Sequence, residues 1–371
     1  MSFAAVLKGI DWRNIRRVRE NALPSDVAAV IRTPRIADTD LPRLLAPAAE
    51  AHLEEMAQRA AALTAHRFGK VVQLYAPLYL SNECVNDCTY CGFARRHKID
   101  RRTLSVTESL AEADVLWREG FRHILLVSGE APHAFTTADL AIAVEKIAPR
   151  FAGIGIEVFP MKLAGYKRLE KAGVDNLTIY QETYDRELYA GLHTGPKADF
   201  DARLAALEAG GDAGFRTLGI GALLGLKDWR EEVLAVLLHA RYLTKRFWKS
   251  RVAVSFPRLC PAEGGFSPPS PVSDRDLVHM IVATRLALPD AEIVISTREG
   301  GDLRDKLIPL GVTRMSAGSK TTVGGYRSGL TTEASDQFSV HDNRPPAEVA
   351  QAIESAGREP VWKDFDEGFR H

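Results

Sequence analysis

The chain has 371 residues, 48 Lys and Arg against 48 Asp and Glu, and 46% hydrophobic residues. Zero formal charge argues against a general nucleic-acid or anionic-membrane binder, and four cysteines rule out a disulfide-stapled secreted scaffold. No apolar run approaches the ~20 residues that span a bilayer and no signal peptide is apparent, so a reducing cytoplasm is the expected setting.

Residues 1–70 read as an N-terminal helical extension, with Ala, Leu, Met and Glu at helical spacing from Ala48 to Ala65. From Val71 the pattern changes to short apolar, β-branched runs that alternate with amphipathic stretches. The runs at 71–80, 123–128, 153–159, 176–181, 215–224, 251–257, 292–296 and 314–317 predict eight strands. Most are nearly continuously apolar, as parallel strands buried on both faces are. Ser105 with Glu108, Asp228 with Glu231 and, more weakly, Ser273 with Asp276 mark helix starts as capping boxes. Gly120, Gly173, Gly214 and Gly311 each follow a helical stretch and precede an apolar residue, as at a left-handed helix end. The repeat predicts an α/β fold, a (β/α)8 barrel over 71–323; a doubly wound open sheet is the alternative. A C-terminal extension over 324–371 is expected to pack on the barrel, with one short helix from Ala347 and a tail at Val361-Trp362-Lys363-Asp364-Phe365 anchored by aromatics.

Cys84, Cys88 and Cys91 follow directly after the first predicted strand. Three thiolates in one loop can hold one face of a metal centre. Their C-x3-C-x2-C spacing is too uneven for paired zinc knuckles. On a 4Fe–4S cube, three cysteines leave one iron open to a substrate or cofactor. A zinc knuckle completed by His97 or Cys260, or unrelated buried cysteines, is the bland alternative.

This motif, with Tyr90 before the last cysteine, resembles the signature of the radical S-adenosylmethionine (radical SAM) enzymes. Further segments resemble the 2-iminoacetate synthase (tyrosine lyase) family of thiamine biosynthesis along nearly the whole chain. They include Leu126-Val127-Ser128-Gly129-Glu130, Tyr180-Gln181-Glu182-Thr183-Tyr184, Gly219-Ile220-Gly221-Ala222-Leu223-Leu224-Gly225-Leu226 and Ile295-Ser296-Thr297-Arg298-Glu299. The resemblance implies a 4Fe–4S cluster on the three cysteines, with S-adenosyl-L-methionine (SAM) chelating the open iron.

It further implies cofactor contacts from Tyr90, from Ser128, Gly129 and Glu130 after the second strand, and from Glu182 and Arg203. Glu157, ending the third strand, is a weaker candidate for the SAM ribose. Arg298, ending the seventh strand, is expected to hold the carboxylate of L-tyrosine, with Ser316 assisting. The bland readings are a turn carboxylate for Glu130, a solvated Arg203, and an ion pair of Arg298 with Glu299 or Asp302. Cys260 reads as a free thiol.

The activity so implied cleaves the Cα–Cβ bond of tyrosine to 2-iminoacetate and 4-cresol, with thiazole synthase receiving the imine. The basic run Arg95, Arg96, His97, Lys98, Arg101 and Arg102 is either solvated or a dock for an acidic, flavodoxin-type reductant. Other readings are a tryptophan lyase-like enzyme and a non-catalytic iron–sulfur or zinc protein. A hydrogenase maturase that cleaves tyrosine fits less well, because that chemistry needs a second cysteine-bound cluster and no cysteine follows Cys260.

Overall fold

The apolar runs form parallel strands: β1 Val71–Ser81, β2 His123–Ser128, β3 Gly153–Glu157, β4 Asn176–Thr178, β5 Thr217–Gly221, β6 Arg251–Ser255, β7 Glu292–Ile295 and β8 Arg314–Ser316. The computed structural model describes residues 2–328 and 336–364. Each strand pairs with the next in sequence, and β1 pairs with both β8 and β2, so the sheet closes into the expected eight-stranded barrel and not an open sheet. Helices return along the outside between strands.

Several predicted strands are shorter than their apolar runs. The run at 215–224 is ladder only over Thr217–Gly221, and Ala222 and Leu224 continue as isolated bridges to Glu182 and Arg258. The run at 176–181 leaves the ladder after Thr178. Four residues on, Glu182 takes a φ of 69°, the only positive φ outside glycine among the described residues. A side chain there is strained, and such strain concentrates at functional sites.

The helix signals act as read at five of the boxes' six residues and fail at one. Ser105–Glu108 and Ser273–Asp276 form reciprocal capping boxes. Asp228 caps its helix through Arg230 N–H, but Glu231 does not reach back; Arg16 and Lys227 take its carboxylate instead. Gly173 and Gly214 close their helices at φ 116° and 99°, a region only glycine enters freely.

The ends of the chain are built onto the barrel. Phe3 stacks on His239 with ring centroids 4.0 Å apart, and Leu41, Met56 and Ile353 belong to the same buried cluster as the barrel strands. A ninth strand, β9 Glu359–Val361, pairs in parallel with Val71–Gln73 of β1, below the point where β2 joins that edge. Trp362 beyond it packs on Phe121 at 5.2 Å between centroids. Phe365, the last aromatic of the expected tail, lies outside the described residues. Among the described residues no helix is long and apolar enough to cross a membrane.

Candidate active site

β1 runs out at Ser81 into a loop of some twenty residues that carries the three cysteines. Loops this long need internal ties. Arg101 supplies them by donating to the carbonyls of Asn82 (2.7 Å), Phe93 (2.9 Å), Ala94 (2.8 Å) and His97 (3.2 Å). Asn82 adds a bond to the Asp100 carbonyl at 2.7 Å and accepts from Arg102 N–H at 2.6 Å. Two members of the basic run, Arg101 and Arg102, are therefore committed within the chain, Arg102 also to Glu108 at 2.9 Å.

Cys84 and Cys91 stand close enough to Cys88 for their charges to be felt there. Burial pushes Cys88 up to about 12; Lys197 opposes the rise and the neighbouring thiols add to it. Burial also raises Cys91. Among the described residues no three His, Cys, Asp or Glu side chains are drawn into a closed metal cage. The donor set is three thiols from one loop, soft ligands that suit an iron–sulfur cube with one iron left open. Cys260 stands apart, its S–H directed at the carbonyls of Arg258 (3.6 Å) and Arg298 (3.8 Å).

Gly129 brings the end of β2 against this loop. A Cβ there would lie 2.3 Å from the Glu83 carbonyl oxygen and 3.2 Å from Cys84 Cβ, so only glycine fits. Its N–H donates to Ser81 O at 3.0 Å. Glu130 then meets Asn86, which donates to its carboxylate at 2.6 Å, while the Ser128 hydroxyl is buried without a partner. Asn86 is a hub that the motif did not reveal. It also lies 3.8 Å from Cys84 Sγ and accepts from Lys197 N–H at 2.8 Å.

Glu182 and Arg203 are brought together with a third partner, Lys197. Lys197 Nζ lies 2.7 Å and Arg203 3.3 Å from the same Glu182 oxygen; Glu182 is buried and the two cations are mostly so. Burial alone would raise the Glu182 carboxyl; Lys197 and Arg203 outweigh it and hold the group below its ordinary value. Arg203 also donates to Tyr180 O at 2.7 Å, so it is not a solvated helix arginine. Lys197 lies 5.7 Å from the centre of the Tyr90 ring. The Tyr90 hydroxyl donates to His193 Nε2 at 2.7 Å, because His193 Nδ1 is spent on Tyr189 O at 2.8 Å. Burial lowers His193 to about 4, so it stays neutral. The ring of Tyr90, and not its hydroxyl, is what remains for contact.

Between β2 and β4, β3 ends at Glu157; the opposite half of the mouth is built from β7 and β8. Burial pushes Glu157 up to about 7, with Arg298 pulling it back and Glu182 adding to the rise. Arg298 does not pair with Glu299, which Arg258 holds in a fork with Nε at 2.9 and 3.1 Å. It stacks instead on Phe338, with Cζ 3.3 Å from the ring centre. Ser316 sits one layer deeper. Its hydroxyl accepts from Thr297 N–H at 3.1 Å and its carbonyl from Arg304, so it braces the turn that carries Arg298.

The residues fall into two groups across one barrel mouth: thiols, Glu130, Glu157, Glu182 and Arg203 on the side of β1 to β4, Arg298 on the other, after β7. Residues 78–237 match the model of the radical SAM superfamily and 255–359 that of the biotin and thiamin synthesis associated domain. The chain is similar to the 2-iminoacetate synthase of Escherichia coli (strain K12), 40% identical over 98% of this chain and 97% of that one. Its fold is similar to the FeFe-hydrogenase maturase HydG of Carboxydothermus hydrogenoformans, with a TM-score of 0.87 and 34% identity over 96% of this chain and 83% of the other. It is also similar to methylornithine synthase, PylB, with a TM-score of 0.74 and 26% identity over 93% and 98%. With a full-length relative at that identity and a three-thiol loop at the mouth of a parallel barrel, the chain belongs to the 2-iminoacetate synthase family of radical SAM enzymes.

Proposed function

We propose that the chain is a radical SAM lyase that cleaves the Cα–Cβ bond of L-tyrosine to 2-iminoacetate and 4-cresol and so supplies the thiazole branch of thiamine biosynthesis. The observation that carries the substrate reading is Arg298, a guanidinium at the mouth whose neighbouring carboxylate is already taken by Arg258. When bound, the 4Fe–4S cluster supplies the electron that splits SAM into methionine and a hydrogen-abstracting 5′-deoxyadenosyl group.

The chain's own residues bind, orient and shield. Cys84, Cys88 and Cys91 would hold the cluster. Gly129 lets the backbone of β2 approach it, and Glu130 would accept from the SAM ammonium. The mostly buried Lys197–Glu182–Arg203 triad presents positive charge beside the thiols, suited to a carboxylate, and the Tyr90 ring offers a flat apolar face. Arg298 would grip the tyrosine carboxylate through its planar fork and so aim the amino group at the abstracting carbon. The amino group gives one hydrogen atom to the 5′-deoxyadenosyl carbon, the Cα–Cβ bond breaks, and the aryl fragment takes up one proton and a second electron from the external reductant to leave as 4-cresol.

The test is direct. Reduced, cluster-loaded protein given SAM and tyrosine should form 4-cresol and 5′-deoxyadenosine. Turnover of tryptophan in place of tyrosine would overturn the substrate. Thiazole synthase as the acceptor of the imine, and a flavodoxin-type donor docking near exposed Arg95, Arg96 and Lys98, belong to the same proposal. So does a cytoplasmic setting, which suits four free thiols.

A further inference from the structure

The C-terminal extension returns across the barrel mouth as a strap, residues 336–342. At one end it is seated on the cysteine loop. Gly92 N–H donates to Gln337 O at 3.2 Å, and a Cβ on Gly92 would lie 2.6 Å from Asp336 O and 2.7 Å from Gln337 O. No side chain fits beside Cys91 while the strap is in place. In the middle, the Tyr79 hydroxyl donates to Gln337 Oε1 at 2.7 Å and Phe338 lies under Arg298. At the other end, His341 and Asp342 N–H donate to Thr297 O at 2.9 and 3.1 Å, one residue before Arg298. Asp342 is buried against Arg304, and Arg344 clamps Asp342 and Asp305.

A free arginine side chain samples many rotamers, and a carboxylate neighbour would neutralise it. For Arg298 the Phe338 ring limits the first, and Glu157, whose carboxyl feels its charge, lies beyond ion-pair distance. Among the described residues no carboxylate lies within ion-pair distance of it, since Arg258 has captured Glu299. Phe338 covers a face of the guanidinium, and a face contact leaves the N–H edge open. We propose that Phe338 is a positioning residue that holds Arg298 with its N–H edge open for the substrate carboxylate, and so sets the preference for an α-amino acid over the corresponding amine. This rests on the reading that Arg298 takes the tyrosine carboxylate.

Tyramine, which has the phenol and the amine of tyrosine but no carboxylate, separates this role from a general one in packing. Affinities for tyrosine and tyramine would be measured by calorimetric titration of cluster-loaded protein with SAM. The variants are Phe338→Leu, which keeps apolar bulk without a ring, and Phe338→Trp, which keeps a ring. Phe338→Leu should lower the tyrosine-to-tyramine affinity ratio roughly three- to thirty-fold, the worth of a desolvated cation–π contact. Phe338→Trp should restore it. Iron content and SAM affinity should stay at wild type in both. In turnover, Phe338→Leu should make more 5′-deoxyadenosine per 4-cresol. An unchanged ratio in Phe338→Leu, or equal weakening for both ligands, would overturn the positioning role. Failure of the underlying reading shows separately, as a wild-type protein that forms no 4-cresol or binds the two ligands alike.

Discussion

Lys197 shares one buried oxygen of Glu182 with Arg203, and removing it leaves a buried carboxylate with a single cation. Lys197→Met should cost about 3 kcal/mol, the lower end for a broken buried pair because Arg203 remains. Glu182 is held below its ordinary value in the fold, so its contribution is present above that value, near 4.5, and fades as pH falls through the folded value. The variant should therefore lose stability at higher pH than wild type on acidification, read from urea midpoints across pH. Replacing Cys84, Cys88 or Cys91 by Ala should abolish the iron–sulfur absorbance, whereas Cys260→Ala should keep wild-type iron. Glu130→Gln keeps the bond from Asn86 in shape but loses the charge, and SAM affinity should drop roughly ten- to a hundred-fold. The grouping of the three cysteines was legible because residues of one loop are neighbours in sequence. Glu182 and Arg203 were legible only through likeness to a family. Asn86 and Lys197 carried no signal, since they meet 111 residues apart and Asn86 meets Glu130 across 44. Phe338 was silent for the same reason.

At the scale of elements, all eight barrel strands were readable from apolar runs, because burial on both faces leaves a continuous signature. Their ends were not. The run at 176–181 stays β-prone, but its regular ladder stops at Thr178, and Glu182, still bridged to Ala222, takes a positive φ where it meets Lys197, a tertiary demand that no local propensity records. That turn is held from outside by Glu232 on the helix Trp229–Arg246. Glu232 accepts from the Thr183 hydroxyl at 2.6 Å and Tyr184 N–H at 2.8 Å. Burial pushes its carboxyl up to about 7. The folded state then binds a proton that the unfolded chain has released, so stability falls as pH rises from about 4.5 to 7, by on the order of 2–3 kcal/mol. Glu232→Gln should flatten that slope while keeping both bonds, as measured by urea unfolding at several pH values. The ninth strand escaped the reading because three residues with Pro360 at their centre show no strand pattern.

Over the whole molecule, β1 is the shared member: it pairs with β2, β8 and β9, and so ties the start of the barrel to its close and to the tail. Trp362 secures the tail at the foot of the barrel, at the opposite end of β1 from the mouth. Trp362→Ala should cost about 2 kcal/mol, less than the 3–5 for a fully buried aromatic because its ring is partly exposed, and should lower the urea midpoint without changing 4-cresol formation in its absence. The closure on β1 also sets an order of events in time. Cys91 precedes Arg314 by more than two hundred residues and Gln337 by more still. At roughly 5–20 residues per second of synthesis, the thiols emerge about 10–45 s before the strand that closes the barrel exists. Until β8 exists the sheet cannot close, and the strap that seats on Gly92 comes later still. An oxidant present in that interval meets the three sulfurs before either is in place.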